Sequence, residues 1–348
     1  MTGTTDRPLV VLQSFPAPRP TTNPYIVMLR DSLAATEGLR VETWSWRTAL
    51  LGRYDVVQLH WPEILVSGAT PLKAAVRQVL FLLFLLRSKL TRTPLVRTMH
   101  NLELPAGIGR REIALLRLAQ RWTALRIVLN PVTELPAGQR SARILHGSYR
   151  AWFAEYPRAQ TVPGRVAYVG LIRRYKGVER LVGAFRDTRH DTREHASGLT
   201  LTVAGKPSTD DLVEELRATA AGDDRIAFTF AYVDDAQLVA GLTAGELVVL
   251  PYREMHNSGT TLAALSLDRP VLVPDNEVNR QLSAEAGPGW VHLFAGELTG
   301  QVLLDTLAAL RARPPAAAPD LSAREWDDAG RAHLAAYRAA RAAVRQRN

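Results

Sequence analysis

The sequence predicts an α/β protein with two Rossmann-like domains, each a parallel sheet covered by helices on both faces. Short runs of β-branched and aliphatic residues alternate with helical patterns along the chain, which is typical of parallel sheets. A length of 348 residues exceeds what one hydrophobic core usually serves. A polar segment with two prolines, 155–165, separates two such series and is predicted to be a linker. We therefore expect a ligand at the carboxyl ends of the strands, in a cleft between facing domains.

The order of the elements is regular in both halves, because each strand is a short apolar run and the segments between strands have helical periodicity. We place the domains at 1–158 and 159–320, followed by a final helical segment, 321–348, after a hinge rich in Pro and Ala. The predicted strands are Leu9–Gln13, Arg40–Trp44, Val56–His60, Leu95–Met99, Arg126–Leu129, Val166–Val169, Leu199–Val203, Ile226–Phe230, Leu247–Leu250 and Val271–Val273. The predicted helices include Tyr25–Glu37, Arg111–Trp122 and Ser322–Arg345.

The composition excludes several kinds of chemistry. There is no cysteine, so disulfides, thiolate zinc sites and cysteine nucleophiles are ruled out. A metal site of histidines and carboxylates remains possible, although the sequence has no H-E-x-x-H or similar spacing. The net charge is +9, but the arginines are scattered over many helices without interleaved aromatic residues, so we do not expect nucleic-acid binding. Binding to an anionic membrane surface or to phosphate-bearing substrates would explain the positive charge at least as well as nucleic-acid binding. The N-terminal segment is predicted to be a first strand and not a signal peptide.

One turn in the second half is predicted to bind an anion. It follows the strand Leu247–Leu250 and precedes a helix that opens at 258–261, where Ser258, Thr260 and Thr261 supply hydroxyls and Gly259 permits close approach. A helix start offers backbone N–H groups and the positive end of the helix dipole, which suits the diphosphate of a nucleotide-sugar. The alternative is a routine helix cap by Asn257 or Ser258.

A strongly apolar helical segment, 73–92, suggests contact with a membrane. Its unbroken apolar run, Val79 to Leu86, is far shorter than the roughly 20 residues that span a bilayer. The segment could lie in the membrane interface, or it could be core or a dimer interface. Phe81 and Phe84 with so many leucines exceed what one buried face usually requires, which favours the membrane. The flanking cations are Lys73, Arg77, Arg87, Lys89 and Arg92.

The second half of the chain resembles the donor half of GT-B glycosyltransferases. The segment 167–185, AYVGLIRRYKGVERLVGAF, is similar to their strand, G-x-x-x-x-x-K-G motif and helix, and 199–207 resembles the strand that follows. The same order continues through a V-x-D-x-x-L helix, a strand, the anion turn and R-P-V-L-V. The resemblance implies two sheets facing a central cleft, with the final helix packing back on the first domain.

The resemblance also implies a set of donor contacts. Arg173 and Lys176 would neutralise the leaving nucleoside diphosphate, so neither a metal nor another cofactor is expected. Tyr232 would stack on the nucleobase. The remaining implied contacts are Gly170, Gly205, Lys206, Glu254, His256, Asn257, Ser258, Gly259, Thr260 and Thr261.

Four sequence segments in the first half make the resemblance more specific. The segments 21–33, 55–63, 97–105 and 145–149 look most like bacterial polysaccharide glycosyltransferases, in particular the GDP-mannose:glycolipid β-mannosyltransferases of the xanthan type. The resemblance implies GDP-mannose as donor and a lipid-linked glycan or glycolipid as acceptor, bound by the first domain. It also implies a cytoplasmic protein, peripheral on the inner face of the plasma membrane.

An inverting transferase needs a general base for the acceptor hydroxyl. Glu63 and His100, with Glu103 behind them, follow two predicted strands and are the candidates. Many retaining family 4 enzymes carry two glutamates eight positions apart across the donor turn. Here Glu254 is followed at the later position by Leu262, so the resemblance does not imply a retaining reaction.

Two other functions fit the same residues. One is a retaining transferase that uses another nucleotide-sugar, such as UDP-glucose, and a soluble acceptor. The other is a protein without activity that binds a nucleotide in the same fold.

Overall fold

The computed structural model describes residues 7–19, 21–101, 103–104, 107–190, 198–252, 258–315 and 318–346. Their backbone divides into two compact units. Unit 1 comprises 1–147 and 324–348, and unit 2 comprises 148–323. The sequence boundaries at 158 and 320 differ from these by several residues. The predicted linker belongs to unit 2, because the amides of Ala159 and Val162 donate to Thr243 and Ala244 of that unit.

Unit 1 is a six-stranded parallel sheet with helices on both faces. Its strand order is β2-β1-β3-β4-β5-β6. The chain returns to it at the end, since the last helix packs on α1 and β5. Its elements are β1 (Leu9–Gln13), α1 (Pro24–Ala35), β2 (Leu39–Thr43), α2 (Trp46–Leu51), β3 (Val56–Leu59), α3 (Glu63–Val66), α4 (Pro71–Leu90), β4 (Leu95–Met99), α5 (Arg110–Trp122), β5 (Thr123–Val128), β6 (Ser141–Arg143) and α13 (Trp326–Arg345).

Two apolar cores lie on the two faces of this sheet because strand residues alternate between the faces. Val11 and Val56 pack against α1 and α13, whereas Leu12 and Leu59 pack against α2 to α5. The central strands β1, β3, β4 and β5 are buried on both faces, which explains why they are mostly apolar. The edge strands β2 and β6 are partly exposed.

Unit 2 is also a six-stranded parallel sheet with helices, in the order β12-β11-β10-β7-β8-β9. The predicted fold class, two parallel sheets covered by helices, is confirmed. The elements of unit 2 are α6 (Arg150–Phe153), β7 (Arg165–Val169), α7 (Val178–Asp187), β8 (Thr200–Ala204), α8 (Asp210–Ala220), β9 (Ile226–Thr229), α9 (Asp235–Ala244), β10 (Leu247–Val249), α10 (Gly259–Ser266), β11 (Val271–Pro274), α11 (Glu277–Ala286), β12 (Val291–Phe294) and α12 (Gly300–Ala312).

Helix α4 is the apolar segment, and one expectation about it is wrong. Phe81 and Phe84 are fully buried in the core of unit 1 with Leu85, so they do not form a surface. A different set of apolar side chains is exposed at spacings of three and four residues, along one stripe of the helix. This α4 stripe consists of Leu72, Val76, Val79, Leu83, Leu86 and Leu90. Within the described ranges, no helix has the length and apolar character needed to span a bilayer.

Candidate active site

In each sheet the chain first adds strands on one side of the first strand and then crosses over to add the others on the opposite side, so the strand order reverses at one point. Ligands of open α/β sheets bind at such a point, at the carboxyl ends of the strands. In unit 1 the reversal lies between β1 and β3, and in unit 2 it lies between β7 and β10. The predicted site residues that the structure describes follow the carboxyl ends of β3 and β4 in unit 1 and of β7 to β10 in unit 2. The fold therefore collects them at one edge of each sheet.

Two glycines end neighbouring strands in unit 2 and allow their loops to touch. Gly170 follows β7, Gly205 follows β8, and the Gly170 N–H donates to the carbonyl of Ala204. A Cβ on Gly205 would lie 1.8 Å from the carbonyl oxygen of Gly170. No side chain fits there, so this approach of the two loops requires glycine.

The start of α10 is capped by a side chain and lies close to the end of β7. Ser258 is the cap, and its hydroxyl accepts the N–H of Thr261 at 3.1 Å, as the routine alternative predicted. The hydroxyl of Thr260 would lie 3.7 Å from a Cβ on Gly170, so the helix start and the end of β7 meet at the strand reversal. The amides of Gly259 and Thr260, at the first two helical positions, are beyond the reach of bonds within the helix.

The predicted cations of unit 2 differ in their surroundings. Lys176 is only 9% exposed, and its Nζ lies 5.0 Å from the ring centroid of Tyr252. Arg173 donates from Nη1 to the carbonyls of Ile172 and Lys206 at 2.9 and 3.0 Å, so it ties the loops after β7 and β8 together. The Lys206 side chain is exposed. Arg174, the next cation, forms an ion pair with Glu215.

The remaining donor candidates are placed only in part. Tyr232 follows β9 and is 61% exposed, as a side chain that stacks on a ligand would be. Glu254, His256 and Asn257 lie outside the described residues. Leu262, the position where retaining relatives of the fold carry a second glutamate, is buried in α10. Among the side chains that the structure describes, no three of His, Cys, Asp or Glu form a group suited to a metal ion.

The edge of unit 1 contains a pair of histidines in contact. His60 follows β3 and His100 follows β4, and His60 Nδ1 lies 3.2 Å from His100 Nε2. The Trp61 ring stacks on His100 with centroids 4.0 Å apart, and Tyr25 meets His100 edge-on at 5.3 Å. His146, after β6, joins this group, with its ring 4.6 Å from that of Tyr25.

Burial keeps these histidines neutral near pH 7. It lowers the pKa of His60 to about 3 and that of His146 to about 4. Burial also places the pKa of His100 well below 6.5, with smaller contributions from the charges that His60, His146 and Arg97 would carry. A neutral imidazole retains a lone pair over the whole physiological pH range, so one ring nitrogen of each histidine is a hydrogen-bond acceptor.

The two carboxylate candidates differ. Glu63 begins α3, and burial raises the pKa of its carboxyl although its own backbone and Arg97 oppose the shift. Glu103 is exposed. Arg97, a buried cation on β4 beneath this edge, was not predicted from the sequence. Its position inside an apolar strand was the available signal.

Comparison with known proteins agrees with this architecture. Residues 163–297 match the model of the glycosyl transferases group 1 family. The GDP-mannose:glycolipid 4-beta-D-mannosyltransferase of Xanthomonas campestris pv. campestris is 43% identical over 329 residues, which cover 94% of this chain and 92% of that protein.

Solved structures share the fold at low sequence identity. The Anabaena protein HepE in complex with UDP and glucose has a TM-score of 0.57 at 16% identity, covering 97% of this chain and 98% of that one. Sucrose-phosphate synthase from Thermosynechococcus elongatus has a TM-score of 0.54 at 14% identity, covering 98% of both chains. These similarities confirm the GT-B fold, and the 43% identity over nearly the whole length shows that the chain is a glycosyltransferase and belongs to the family of the GDP-mannose:glycolipid 4-beta-D-mannosyltransferases.

Proposed function

We propose that the protein transfers mannose from GDP-mannose to a glycolipid or lipid-linked glycan, with inversion at the anomeric carbon and without a metal. The observation that carries this proposal is the identity with a mannosyltransferase named for that donor and acceptor class. The geometry of unit 2 supports a diphosphate ligand, because the start of α10 and Gly170 meet where the strand order reverses, and the buried Lys176 lies against Tyr252, which follows β10. Helix-start amides and a lysine ammonium are the groups that stabilise a leaving nucleoside diphosphate.

Thermal-shift measurements with GDP, UDP, ADP and dTDP test the donor. A ligand that binds the native state raises the melting temperature by mass action. We expect the largest rise with GDP and GDP-mannose, and a smaller rise for Lys176→Met. The matched control is Lys73→Met, because Lys73 is an exposed lysine on α4 of unit 1 and is not a donor candidate. A rise with UDP and none with GDP would contradict the donor.

His100 is the proposed general base. Geometry favours it over the two glutamates, because the His100 ring is held between Trp61 and Tyr25 at the carboxyl edge of the sheet, whereas Glu103 is exposed and Glu63 begins a helix. Loss of a general base lowers kcat by roughly 10²- to 10⁴-fold. We expect that loss in His100→Gln, with smaller losses in Glu63→Gln and Glu103→Gln. A loss of that size in Glu63→Gln alone would move the role to Glu63.

Two further measurements test whether the reaction requires a metal and whether it inverts the anomeric configuration. Activity that is unchanged by EDTA supports a metal-free reaction, whereas activity abolished by EDTA and restored by Mg²⁺ contradicts it. Proton NMR of the freshly formed product gives the anomeric configuration. The α-anomer from an α-linked donor would show retention and would refute inversion.

We propose that unit 1 docks on the inner face of the cytoplasmic membrane through the α4 stripe. The stripe is apolar and exposed, and its helix carries exposed cations at both ends, including Lys73 and Lys89. Apolar side chains in the interface with cations on anionic headgroups are typical of peripheral helices. Leu51 and Ile64, on the neighbouring helices α2 and α3, are also exposed. A glycolipid acceptor would be reached from this position.

Vesicle sedimentation tests the docking. We expect the protein to bind vesicles that contain phosphatidylglycerol, less at high salt, and the double variant Val79→Asp with Leu83→Asp to lose binding. The control is Leu171→Asp, an exposed leucine of unit 2, which should bind like the wild type. Dimerisation in solution that the double variant abolishes, without vesicle binding by the wild type, would instead identify the stripe as a protein interface.

A further inference from the structure

A chain of buried polar side chains runs from the histidine pair into unit 1, between the sheet and α13. Gln13 ends β1 and Gln58 lies opposite it in the register of β1 and β3. Both side chains are fully buried, and so is Tyr337 of α13. Polar groups are costly to bury unless each finds a partner, so their hydrogen bonds account for their presence.

The bonds form one connected series. Gln13 donates from Nε2 to Gln58 Oε1 at 3.0 Å and to Tyr337 Oη at 3.2 Å. The Tyr337 hydroxyl donates to Gln58 Oε1, and Gln58 Nε2 donates to Thr98 Oγ1 at 2.8 Å. At the other end, Gln13 Oε1 lies 2.9 Å from His60 Nε2. A glutamine oxygen only accepts, so His60 Nε2 carries the hydrogen.

The tautomer of His60 fixes that of His100. A neutral imidazole has one N–H, so His60 Nδ1 is an acceptor once its hydrogen is on Nε2. His100 Nε2 lies 3.2 Å from that nitrogen and must donate to it. The lone pair of neutral His100 is then on Nδ1, the nitrogen on the other side of the ring.

We propose that Gln13, Gln58 and Tyr337 are positioning residues that hold His60 and His100 in the Nε2-protonated tautomer, so that His100 Nδ1 takes the proton of the acceptor hydroxyl. The catalytic half of this statement rests on the proposed function, whereas the tautomers do not. The acceptor oxygen bonds to the anomeric carbon as the nucleoside diphosphate leaves. The proton of the acceptor hydroxyl passes to His100 Nδ1, and His100 becomes an imidazolium. The Trp61 face then lies against that cation, which favours it.

The direction of the two amides decides the tautomer. If both glutamines were reversed, Gln13 Nε2 would donate to His60 Nε2 and the hydrogen of each histidine would be on Nδ1. His100 could then accept no proton at Nδ1. The two arrangements therefore give opposite spectra.

Long-range ¹H–¹⁵N NMR of the full-length protein labelled with ¹⁵N-histidine distinguishes the tautomers, and His60→Asn and His100→Gln assign the signals. At pH 7.5 we expect both rings to show protonated Nε2 and unprotonated Nδ1. Gln13→Met removes the acceptor and should mix the His60 tautomers. Gln13→Glu restores an acceptor oxygen and should restore protonated Nε2.

Kinetics link the chain of hydrogen bonds to catalysis. We expect Gln13→Met to lower kcat at least about tenfold with the KM for GDP-mannose changed by less than about twofold, since only proton transfer is affected. Gln13→Glu should recover part of the lost kcat. Thr123→Val is the matched control, because it also deletes one buried hydrogen bond of unit 1 but lies at the start of β5.

Each outcome is decisive. Wild-type spectra with Nδ1 protonated in both rings would overturn the proposal, as would a loss of kcat in Gln13→Met with unchanged tautomers. Unfolding curves show whether that variant folds. Tyr337→Phe keeps the ring but removes the hydroxyl that accepts from Gln13 and donates to Gln58, so it should mix the tautomers to a smaller extent than Gln13→Met. Unchanged tautomers in Tyr337→Phe would overturn the role of Tyr337. Absence of GDP-mannose transfer by the wild type, with the expected spectra, would refute the proposed function and leave the hydrogen-bond chain intact.

Discussion

The absence of a side chain at Gly205 allows the loops after β7 and β8 to be in contact. We expect Gly205→Ala to destabilise the protein by about 1–3 kcal/mol or more, because the new methyl group overlaps the Gly170 carbonyl and the backbone must move. The same movement would separate Gly170 from Thr260, so the thermal shift with GDP should also fall. Urea unfolding and GDP titration measure the two effects.

Gly183 provides the matched control for this substitution. It lies in α7, where a methyl group would meet Thr219 Cγ2 at an ordinary contact distance of 3.8 Å, and alanine favours helices over glycine by roughly 0.5–1 kcal/mol. Gly183→Ala should therefore leave the urea midpoint unchanged or raise it. Equal losses in Gly205→Ala and Gly183→Ala would show that the contact with Gly170 is not the cause.

Buried histidines make the stability of unit 1 depend on pH. Burial lowers the pKa of His60 to about 3, and of His146 and His333 to about 4, from 6.5. The unfolded chain binds more protons than the folded one in this window, so stability is fully present above about pH 6.5 and is lost as the pH falls towards 4. Each group contributes on the order of 1–2 kcal/mol between pH 6.5 and 5.

The variant His333→Gln isolates one of these contributions. Its neighbours include Tyr337 on α13 and His60 at the end of β3. We expect the difference in unfolding free energy between pH 7.5 and 5.0 to shrink by on the order of 1 kcal/mol relative to the wild type. Urea unfolding at both pH values checks this. An unchanged difference would mean that folding does not shift the pKa of His333.

At the scale of elements, α13 is held against α1 at a point of close contact. A Cβ on Gly330 would lie 2.2 Å from Thr36 Oγ1 and 2.9 Å from the Ser32 carbonyl oxygen, and the Ser32 hydroxyl donates to the carbonyl of Trp326. We expect Gly330→Ala to destabilise unit 1 by about 1–3 kcal/mol because the helices must separate. Ala335→Leu, exposed on the same helix, should have little effect. Thermal unfolding of the two variants compares them.

The elements and the site differ in how far the sequence predicts them. Strands with long apolar runs were found because burial on both faces leaves a clear pattern. The edge strand β6, Ser141–Arg143, lacks such a run and was missed. The sequence also placed His60 and His100 at strand ends. It did not indicate their contact with Gln13, Gln58 and Tyr337, because a pair such as Gln58 and Tyr337, 279 positions apart, is brought together by tertiary packing alone.

At the scale of the molecule, the two units differ in how the chain builds them. Unit 2 is one continuous stretch, whereas unit 1 needs the last residues, 324–348, to complete it. Those residues supply Ala329, Ala336, Tyr337 and Ala340 to the core on the α1 face of the sheet. Their removal would expose the apolar side chains of that face to water and leave Gln13 and Gln58 without the Tyr337 hydroxyl.

Truncation after Ala323 should therefore unfold unit 1 and spare unit 2. We expect limited proteolysis of the truncated chain to degrade unit 1 and leave a resistant fragment close to 148–323, because that segment keeps its whole sheet and its own core. Removal of 346–348 alone is the matched control and should leave both units resistant, since the buried residues of α13 end at Ala343. A truncated chain whose unit 1 still resists the protease would show that the sheet and α1 are stable without α13, and the last helix would then have no stabilising role in unit 1.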